Sequence, residues 1–199
     1  MNTELFSALV LFAFVSSITP GPNNLMLLAS GTNFGLRRTV PHMLGISLGH
    51  AFMVALVGFG LAQVFEAYPA VRFALKVIST AYLLYLAWKI ANAAPPSRSG
   101  EAAGKPFTFL QAAAFQWVNP KAWYMAIYAI TNFTPENSGL AGPLWVAAVF
   151  AATNLPSVSV WAAMGTQLRR LLHRPRLLRA FNWTMAGLLL LTLWQVWTD

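Results

Sequence analysis

Six long apolar runs dominate this 199-residue chain, and they restrict it to a membrane fold more strongly than any motif does. They cover residues 5–30, 40–65, 70–91, 107–133, 143–165 and 177–197. A membrane-spanning helix needs about 20 mainly apolar residues, whereas the strands of a membrane barrel alternate over segments of about ten. Charged residues make up 9% of the chain, against about 25% in soluble domains. The sequence therefore predicts an all-α membrane protein with six transmembrane helices and no soluble domain.

The positions of the basic residues predict how the chain is oriented in the membrane. The connections after the first, third and fifth runs are basic, with Arg37, Arg38, Lys89, Arg98, Lys105, Arg169, Arg170, Arg174, Arg176 and Arg179. The second connection offers Arg72 and Lys76 beside Glu66, and the fourth has Glu136 without a basic residue. Because cytoplasmic loops carry an excess of Lys and Arg, the odd connections should face the cytoplasm and both termini the periplasm. The net charge of +8 is thereby assigned to orientation and to membrane lipids rather than to nucleic acid.

Two of the runs contain a polar motif built around proline. The first holds Thr19-Pro20-Gly21-Pro22-Asn23-Asn24, and the fourth holds Gln116-Trp117-Val118-Asn119-Pro120-Lys121. Proline removes a backbone donor and clashes with the preceding turn, so each motif should interrupt its helix. Pro20 lies roughly 22 Å along a helix from residue 5, and Pro120 roughly 20 Å from residue 107, which places both breaks deep in the membrane. Backbone groups freed there are tolerable only inside protein or beside a wet cavity.

The two breaks lie 100 residues apart, each in the first run of a three-run half. An odd number of spans makes the halves opposite in orientation, which is the pattern of inverted repeats in secondary transporters. We therefore expect a first repeat at residues 1–93, a cytoplasmic linker at 94–106 and a second repeat at 107–199. In such transporters paired broken helices form the substrate site near the membrane midplane. All residues from Thr19 to Asn24, together with Gln116, Asn119, Pro120 and Lys121, are the predicted substrate-binding residues.

Further polar residues fall inside the second and fifth runs. His50 is either a proton carrier or a packed, hydrogen-bonded histidine. The first alternative arises because histidine is the side chain that changes charge near neutral pH. Gly45 and Gly49 make a small-xxx-small pattern that is typical of closely packed membrane helices. Asn154 and Ser157, either side of Pro156, form a third polar interruption that either lines the same cavity or satisfies backbone groups.

The five acidic residues all lie outside the helix centres: Glu4, Glu66, Glu101, Glu136 and Asp199. A charge at mid-bilayer costs about 3 kcal/mol or more, so Lys121 needs a partner or a cavity. Without a central acid, the carboxylate of a substrate is the natural partner, and a substrate with a neutral side chain is favoured. No metal site and no other cofactor is expected, because the chain has no cysteine and no buried carboxylate cage.

In these motifs the chain resembles the LysE/RhtB superfamily of amino-acid exporters. The resemblance rests on the segments 19–24, 44–50, 81–89, 119–121 and 179–182, in that order and spacing. The motifs in the first and fourth runs look closest to the cysteine/O-acetylserine exporter branch. The resemblance implies efflux of amino acids across a bacterial inner membrane, driven by the proton motive force, with the substrate site at the two proline motifs. Some members carry an acidic residue just after the first motif, where Asn23 and Asn24 stand here.

Other functions remain open at this point. A metal-ion exporter of the wider superfamily fits poorly without cysteine or a buried acid, and a membrane enzyme would need a nucleophile with its base, or a motif such as H-E-x-x-H. A non-transporting assembly subunit would have no water-filled cavity at residues 23 and 119. The expected partners are an amino-acid substrate, protons and lipids, with a homodimer as an open alternative to a monomer.

Overall fold

All the regular structure in the described part of the chain is helical. The structure is a computed structural model that describes residues 3–61, 67–93, 105–135, 137–172 and 174–198. The helices are α1 (Thr3–Ile18), α2 (Pro22–Phe34), α3 (Leu36–Leu56), α4 (Pro69–Ala91), α5 (Phe109–Gln116), α6 (Pro120–Phe133), α7 (Ala141–Leu171), α8 (Pro175–Leu191) and α9 (Leu193–Thr198). A π-helical stretch, Val57–Leu61, continues α3. The predicted all-α class is confirmed.

Several of these helices are long and apolar enough to cross a membrane. Within the described ranges the spans Leu36–Leu61, Phe73–Ala91 and Ala141–Leu171 qualify by length and composition, and α1 with α2 makes a fourth if that bent pair is one span. The two further spans predicted at residues 107–133 and 177–197 correspond to α5–α6 and α8–α9, and their crossing of the membrane stays a prediction. Most of the linker predicted at 94–106, with Arg98 and Glu101, lies outside the described residues, as do Glu66, Glu136 and Asp199.

Both predicted helix breaks are present, and in each the second half-helix starts at a proline. The first bends the chain by 55° between Ile18 and Pro22. In the second, α5 ends at Gln116 and Asn119 precedes α6, which begins at Pro120. Proline suits the first helical position, because the N–H that it lacks would have no partner within the helix there. The prolines therefore end one half-helix and begin the next.

Two local expectations were wrong. Arg37 and Arg38 do not lie in a loop, because Gly35 alone joins α2 to α3, and both arginines belong to the first turn of α3. Gly35 has φ +79°, a conformation that few other residues adopt, which permits this one-residue turn.

The polar stretch around Pro156 is not an interruption either, since α7 continues through it from Ala141 to Leu171. A single proline removes one internal hydrogen bond from a helix. The packing of α7 against its neighbouring helices compensates for that loss.

The long helix α7 lies at the centre of the bundle, against α1, α2 and α3. Glycines make the closest of these contacts possible. A Cβ atom at Gly165 would overlap the carbonyl oxygen of Leu28, and one at Gly31 would overlap that of Ala162. The backbones of α2 and α7 therefore touch, and Thr32 Oγ1 donates to Gly165 O at 3.0 Å.

The other close helix contact is the one that the small-xxx-small pattern predicted. A Cβ at Gly45 would overlap Phe109 O, and one at Gly49 would lie 2.7 Å from Ala113 Cα. These contacts hold α3 against α5, the half-helix that leads into the second break. Glycines thus bring both broken spans against the unbroken helices of the opposite half of the chain.

We predict that Gly165→Ala destabilises the protein by about 1–3 kcal/mol, because the added methyl group meets backbone that cannot move aside. Gly187→Ala is the matched control, since no heavy atom lies within 4 Å of a Cβ built there. It should leave stability unchanged or raise it by up to about 1 kcal/mol through helix propensity. Thermal unfolding of the purified variants in detergent measures both changes. Equal melting temperatures for the two variants would show that the α2–α7 contact is looser than the structure has it.

Candidate functional site

A small polar cavity lies between the two helix breaks. Its volume is about 20 Å³, and its lining comes from both broken spans and from α3 and α7. The lining residues are Ser16, Ser17, Gly21, Asn23, Asn24, His50, Gln116, Asn119, Lys121, Ala122, Met125, Asn154 and Val158. A water molecule needs about 10–15 Å³ of such volume. In this conformation the cavity therefore has room for water and is closed to an amino acid.

The carbonyl groups freed at the end of α1 are satisfied by side chains. Asn24 Nδ2 donates to Ser17 O at 2.9 Å and to Thr19 O at 2.7 Å. Trp161 Nε1, from α7, donates to Ile18 O at 2.9 Å. Open backbone groups are very costly at membrane depth, so these donors make the break possible. They also tie α1 to both α2 and α7 at the cavity.

Lys121 completes this set from the second break. Its ammonium donates to Thr19 O at 2.8 Å, to Thr19 Oγ1 at 3.0 Å and to Pro20 O at 3.3 Å. The side chain crosses Gly21 closely, since a Cβ there would lie 2.8 Å from Lys121 Cδ. The ammonium therefore sits at the carboxyl end of α1, where the helix dipole favours a cation. Its partners in the structure are oxygen atoms of Thr19 and Pro20.

The two breaks are also joined by a pair of amide side chains. Asn23 Nδ2 donates to Gln116 Oε1 at 2.9 Å, and Gln116 Nε2 donates back to Asn23 Oδ1 at 3.1 Å. Gln116 Nε2 also donates to Ala112 O at 2.9 Å, within its own helix. Asn119 caps α6, since its Oδ1 accepts from the backbone N–H of Lys121 at 3.2 Å. Amides therefore fix the position of one break relative to the other without any charge.

The amino end of α2 is open toward a ligand. Among the described side chains, none caps this helix end, which begins at Gly21 and Pro22 beside the cavity. Uncapped N–H groups and the helix dipole together favour an anion at such an end. Nearby, Asn24 Oδ1 is buried without a hydrogen-bond partner in the described residues. The site thus presents both free donors and a free acceptor.

His50 joins the cavity from α3. It is 2% exposed, and the structure assigns neither ring nitrogen a hydrogen-bond partner within the described part of the chain. The ring packs edge-on against Phe150, with 5.1 Å between centroids. The ring is packed, but neither nitrogen has a partner among the described residues, so the choice between the two interpretations of His50 stays a prediction. A buried imidazole with open nitrogens next to a polar cavity is available to a ligand, a water or a proton.

Asn154 and Ser157, the two residues of α7 singled out in the sequence, have different positions relative to the cavity. Asn154 lines the cavity, where its Oδ1 accepts from Ser47 Oγ at 2.9 Å and its Nδ2 donates to Ser17 Oγ at 3.1 Å. Ser157 does not line it, and its hydroxyl donates to Thr153 O within α7. Of the alternatives for this polar stretch, cavity lining describes Asn154 and backbone satisfaction describes Ser157.

Most of the residues singled out in the sequence come together here. Gly21, Asn23, Asn24, Gln116, Asn119, Lys121, His50 and Asn154 line the cavity. Thr19 and Pro20 contact Lys121 through oxygen atoms, while Pro22 and Pro120 stand at the first positions of α2 and α6.

Sequence reasoning missed Ser17, Ser47 and Trp161. Ser17 lies two residues before the first motif, and Ser47 lies three residues, about one helical turn, before His50. Those spacings could have identified both serines. Nothing in the sequence distinguishes Trp161 from the other tryptophans, since its role depends on how α7 packs against α1.

The groups around the cavity can interact with ligand groups of either charge. The Lys121 ammonium and the open end of α2 can receive a carboxylate, and the carbonyls of Thr19 and Pro20 with Asn24 Oδ1 can receive an ammonium. The described residues contain no group of three or more His, Cys, Asp or Glu side chains that could hold a metal ion.

Comparison with known proteins gives a consistent picture. The family model "LysE type translocator" matches residues 14–193. The chain is 30% identical over 178 residues to proteins named "Cysteine/O-acetylserine efflux protein" from Escherichia coli (strain K12) and Shigella sonnei (strain Ss046). Each match covers 87% of this chain and 89% of the relative. No solved structure gives a significant match.

We predict that Asn24→Leu, which keeps the branched shape and the number of heavy atoms, destabilises the protein by about 1–3 kcal/mol, because a buried carbonyl at the break loses its donor. Asn132→Leu is the control, since Asn132 also donates to a backbone carbonyl, Tyr128 O, but does so at the surface. The melting temperatures of the two variants in detergent give the comparison. A shift for Asn24→Leu no larger than that for Asn132→Leu would mean that the carbonyls find other donors.

Proposed function

Because this chain belongs to the LysE type translocator family, we propose that it exports small, mostly neutral amino acids across the bacterial inner membrane, driven by the proton motive force. The family membership confirms the resemblance found in the motifs, and it makes the chain a multi-pass membrane transporter and not an enzyme. The relatives named for efflux of cysteine and O-acetylserine suggest substrates of that size and charge.

The observation that carries the proposal is the position of the Lys121 ammonium. It is held by uncharged oxygen atoms at the end of α1, beside the open amino end of α2. A zwitterionic amino acid offers both a carboxylate for Lys121 and an ammonium for the carbonyls that Lys121 would leave. One small ligand can therefore replace every contact that the lysine gives up.

The cavity lining favours a substrate with a neutral side chain. The ionisable groups among its lining residues are His50 and Lys121. Asn23 and Asn24 stand where a cationic side chain would need a carboxylate. An uncharged side chain loses less free energy on entering such a site than an ammonium without a partner does.

We assign the two halves of the chain, at residues 1–93 and 107–199, to inverted repeats. Two packing contacts support this assignment, because they join helices that would be equivalent: α3 with α7, and α4 with α8. A third contact, α1 against α7, has its counterpart in α5 against α3. Repeats of opposite orientation allow a central site to open to either face in turn. The basic odd connections place both termini in the periplasm under this proposal.

His50 is the proposed proton carrier, with Asn154 as its polar neighbour in the cavity. The chain's acidic residues lie near its ends or in the predicted connections, and histidine is the side chain that changes charge near neutral pH. Ser157 has no part in this step, because its hydroxyl bonds within α7.

We predict that Lys121→Gln lowers the rate of L-cysteine counterflow in proteoliposomes at least ten-fold, because the carboxylate loses its charged partner. Lys121→Arg should retain part of the rate, since it keeps the charge.

Lys76→Gln is the control, because Lys76 lies on α4, and α4 contributes no residue to the cavity lining. The chain has no cysteine, so the reductant needed for L-cysteine breaks no disulfide. Wild-type rates in Lys121→Gln, or no counterflow of any amino acid by the wild type, would refute the proposed site.

We predict that His50→Gln separates exchange from proton-driven transport. Counterflow of labelled against unlabelled amino acid should persist, while accumulation driven by an imposed pH gradient should fall at least ten-fold, because the carrier of the proton is gone. His42→Gln is the control, since His42 is equally buried on the same helix but does not line the cavity. Gradient-driven accumulation that survives in His50→Gln would assign the proton to another group.

A metal-ion exporter is the alternative within the family's wider relatives. The proteoliposome assay distinguishes it, because cadmium or zinc uptake that amino acids do not compete with would favour a metal substrate. A subunit that transports nothing would show no flux of either kind.

A further inference from the structure

A second and larger cavity lies beside α2, away from the two breaks. It has a volume of about 310 Å³ and is bounded by α2, the end of α4 and the segment that leads into α5. Its lining residues are Met26, Ala29, Ser30, Asn33, Phe34, Trp88, Lys89, Ile90, Asn92, Ala93, Lys105 and Phe107. Unlike the central cavity, it is large enough for a small organic molecule. The basic residues that border it lie on the side assigned to the cytoplasm.

The two cavities share one helix face. Asn23 lines the central cavity, and Met26, Ser30 and Asn33, which follow it by 3, 7 and 10 residues, line the larger one. That spacing repeats one side of an α-helix. From Asn23 to Asn33 the axial distance is about 15 Å. A ligand in the larger cavity would therefore lie along α2 from the central site, toward the cytoplasmic side.

Lys89 gives this cavity its charge. It is partly buried, and the hydrogen bond that it makes in the described structure is a long one, 3.4 Å from Nζ to Gln111 Oε1. Nζ also lies 4.2 Å from the centre of the Phe107 ring, which offers weak compensation through its π-face. An ammonium has three donors, so Lys89 can donate to an anion without losing its present contacts. Lys105 adds a second cation at the edge of the cavity.

The rest of the wall defines the kind of anion. Met26, Ala29, Phe34, Ile90 and Phe107 make it largely apolar, and none of the described residues that line it is acidic. A small carboxylate with a compact, uncharged body matches this wall better than a hydrated inorganic ion does, because apolar surface gives such an ion no hydrogen bonds.

We propose that this cavity is a loading site, in which the carboxylate of an amino-acid substrate pairs with Lys89 before the substrate moves along α2 to the central site. The proposal rests on the proposed export function. It adds a second binding site on the cytoplasmic side, and it assigns the first contact with substrate to Lys89. Asn33 forms part of the cavity wall. Its Nδ2 donates to Oδ1 of Asn182 on α8 at 2.7 Å, which fixes the position of the Asn33 side chain.

The test uses everted membrane vesicles, in which the cytoplasmic face is outside and export is measured as uptake of labelled L-cysteine. Lys89→Gln should raise the KM for uptake about five-fold, the upper end of what one partly screened ammonium–carboxylate pair gives, with the maximal rate changed less than two-fold. Lys89→Arg should restore the wild-type KM. Lys76→Gln, at the other end of the same helix, is the matched control and should leave KM unchanged. If Lys89→Gln does not fold, Lys105→Gln should still raise KM, because it removes the second cation at the cavity edge, and its exposed side chain can be changed without disturbing the fold.

The outcomes separate this proposal from its alternatives. An unchanged KM in Lys89→Gln overturns the loading site but leaves the export function standing, whereas no uptake by the wild type removes both. The anion could also be the headgroup of an acidic lipid, and then the rise in KM would vanish after purification and reconstitution in phosphatidylcholine alone, whose headgroup carries no net charge. It could instead be the carboxylate of Glu101, and then Glu101→Gln would raise KM as Lys89→Gln does, because either change breaks the same ion pair. Either result would overturn the proposal.

Discussion

The contact between the Lys121 ammonium and the carbonyls at the end of α1 is the interaction on which the site depends. A helix broken in the membrane leaves backbone oxygens that lipid cannot solvate. Here they are satisfied by Lys121 from the second break, by Asn24 from α2 and by Trp161 from α7. Each donor comes from a different element, so satisfying one break fixes the relative positions of four helices. The polar cavity is the space that remains among these donors.

Under the proposed function, the same backbone oxygen atoms would bind an ammonium group both in the empty site and in the loaded site. In the closed conformation a cation of the protein occupies the oxygen atoms that a substrate ammonium would use. Moving the Lys121 ammonium away from these oxygen atoms costs free energy, because an ammonium without a partner is unfavourable at that depth. A zwitterion removes the difficulty, since it brings a carboxylate to Lys121 and an ammonium to the carbonyls. Under the proposed function, a ligand with only one of the two charges would leave one group without a partner, and the site would select amino acids without a side-chain contact.

The sequence predicted the parts of this structure that follow from local chemistry. Long apolar runs predicted the helices, and the prolines predicted both breaks. The two proline motifs supply six of the thirteen residues that line the cavity, and His50 and Asn154, also singled out in the sequence, supply two more. The residues that it missed depend on packing. Trp161 reaches Ile18 O because glycines let α7 lie close to α2, and α7 continues through Pro156 because that packing outweighs one lost hydrogen bond.

Under the proposed function, His50 provides a physical reason for exchange of a proton against substrate. Export driven by an inward proton gradient requires that the proton and the substrate exclude each other from the site. A neutral imidazole has one nitrogen that accepts hydrogen bonds, and both ring nitrogens of His50 lack a partner in the described structure. The substrate ammonium and a proton would compete for that lone pair, and a protonated ring would repel both the ammonium and Lys121. A carboxylate carrier could instead bind its proton without becoming a cation. A histidine in a cavity whose other ionisable group is a lysine is therefore suited to exchange rather than to cotransport.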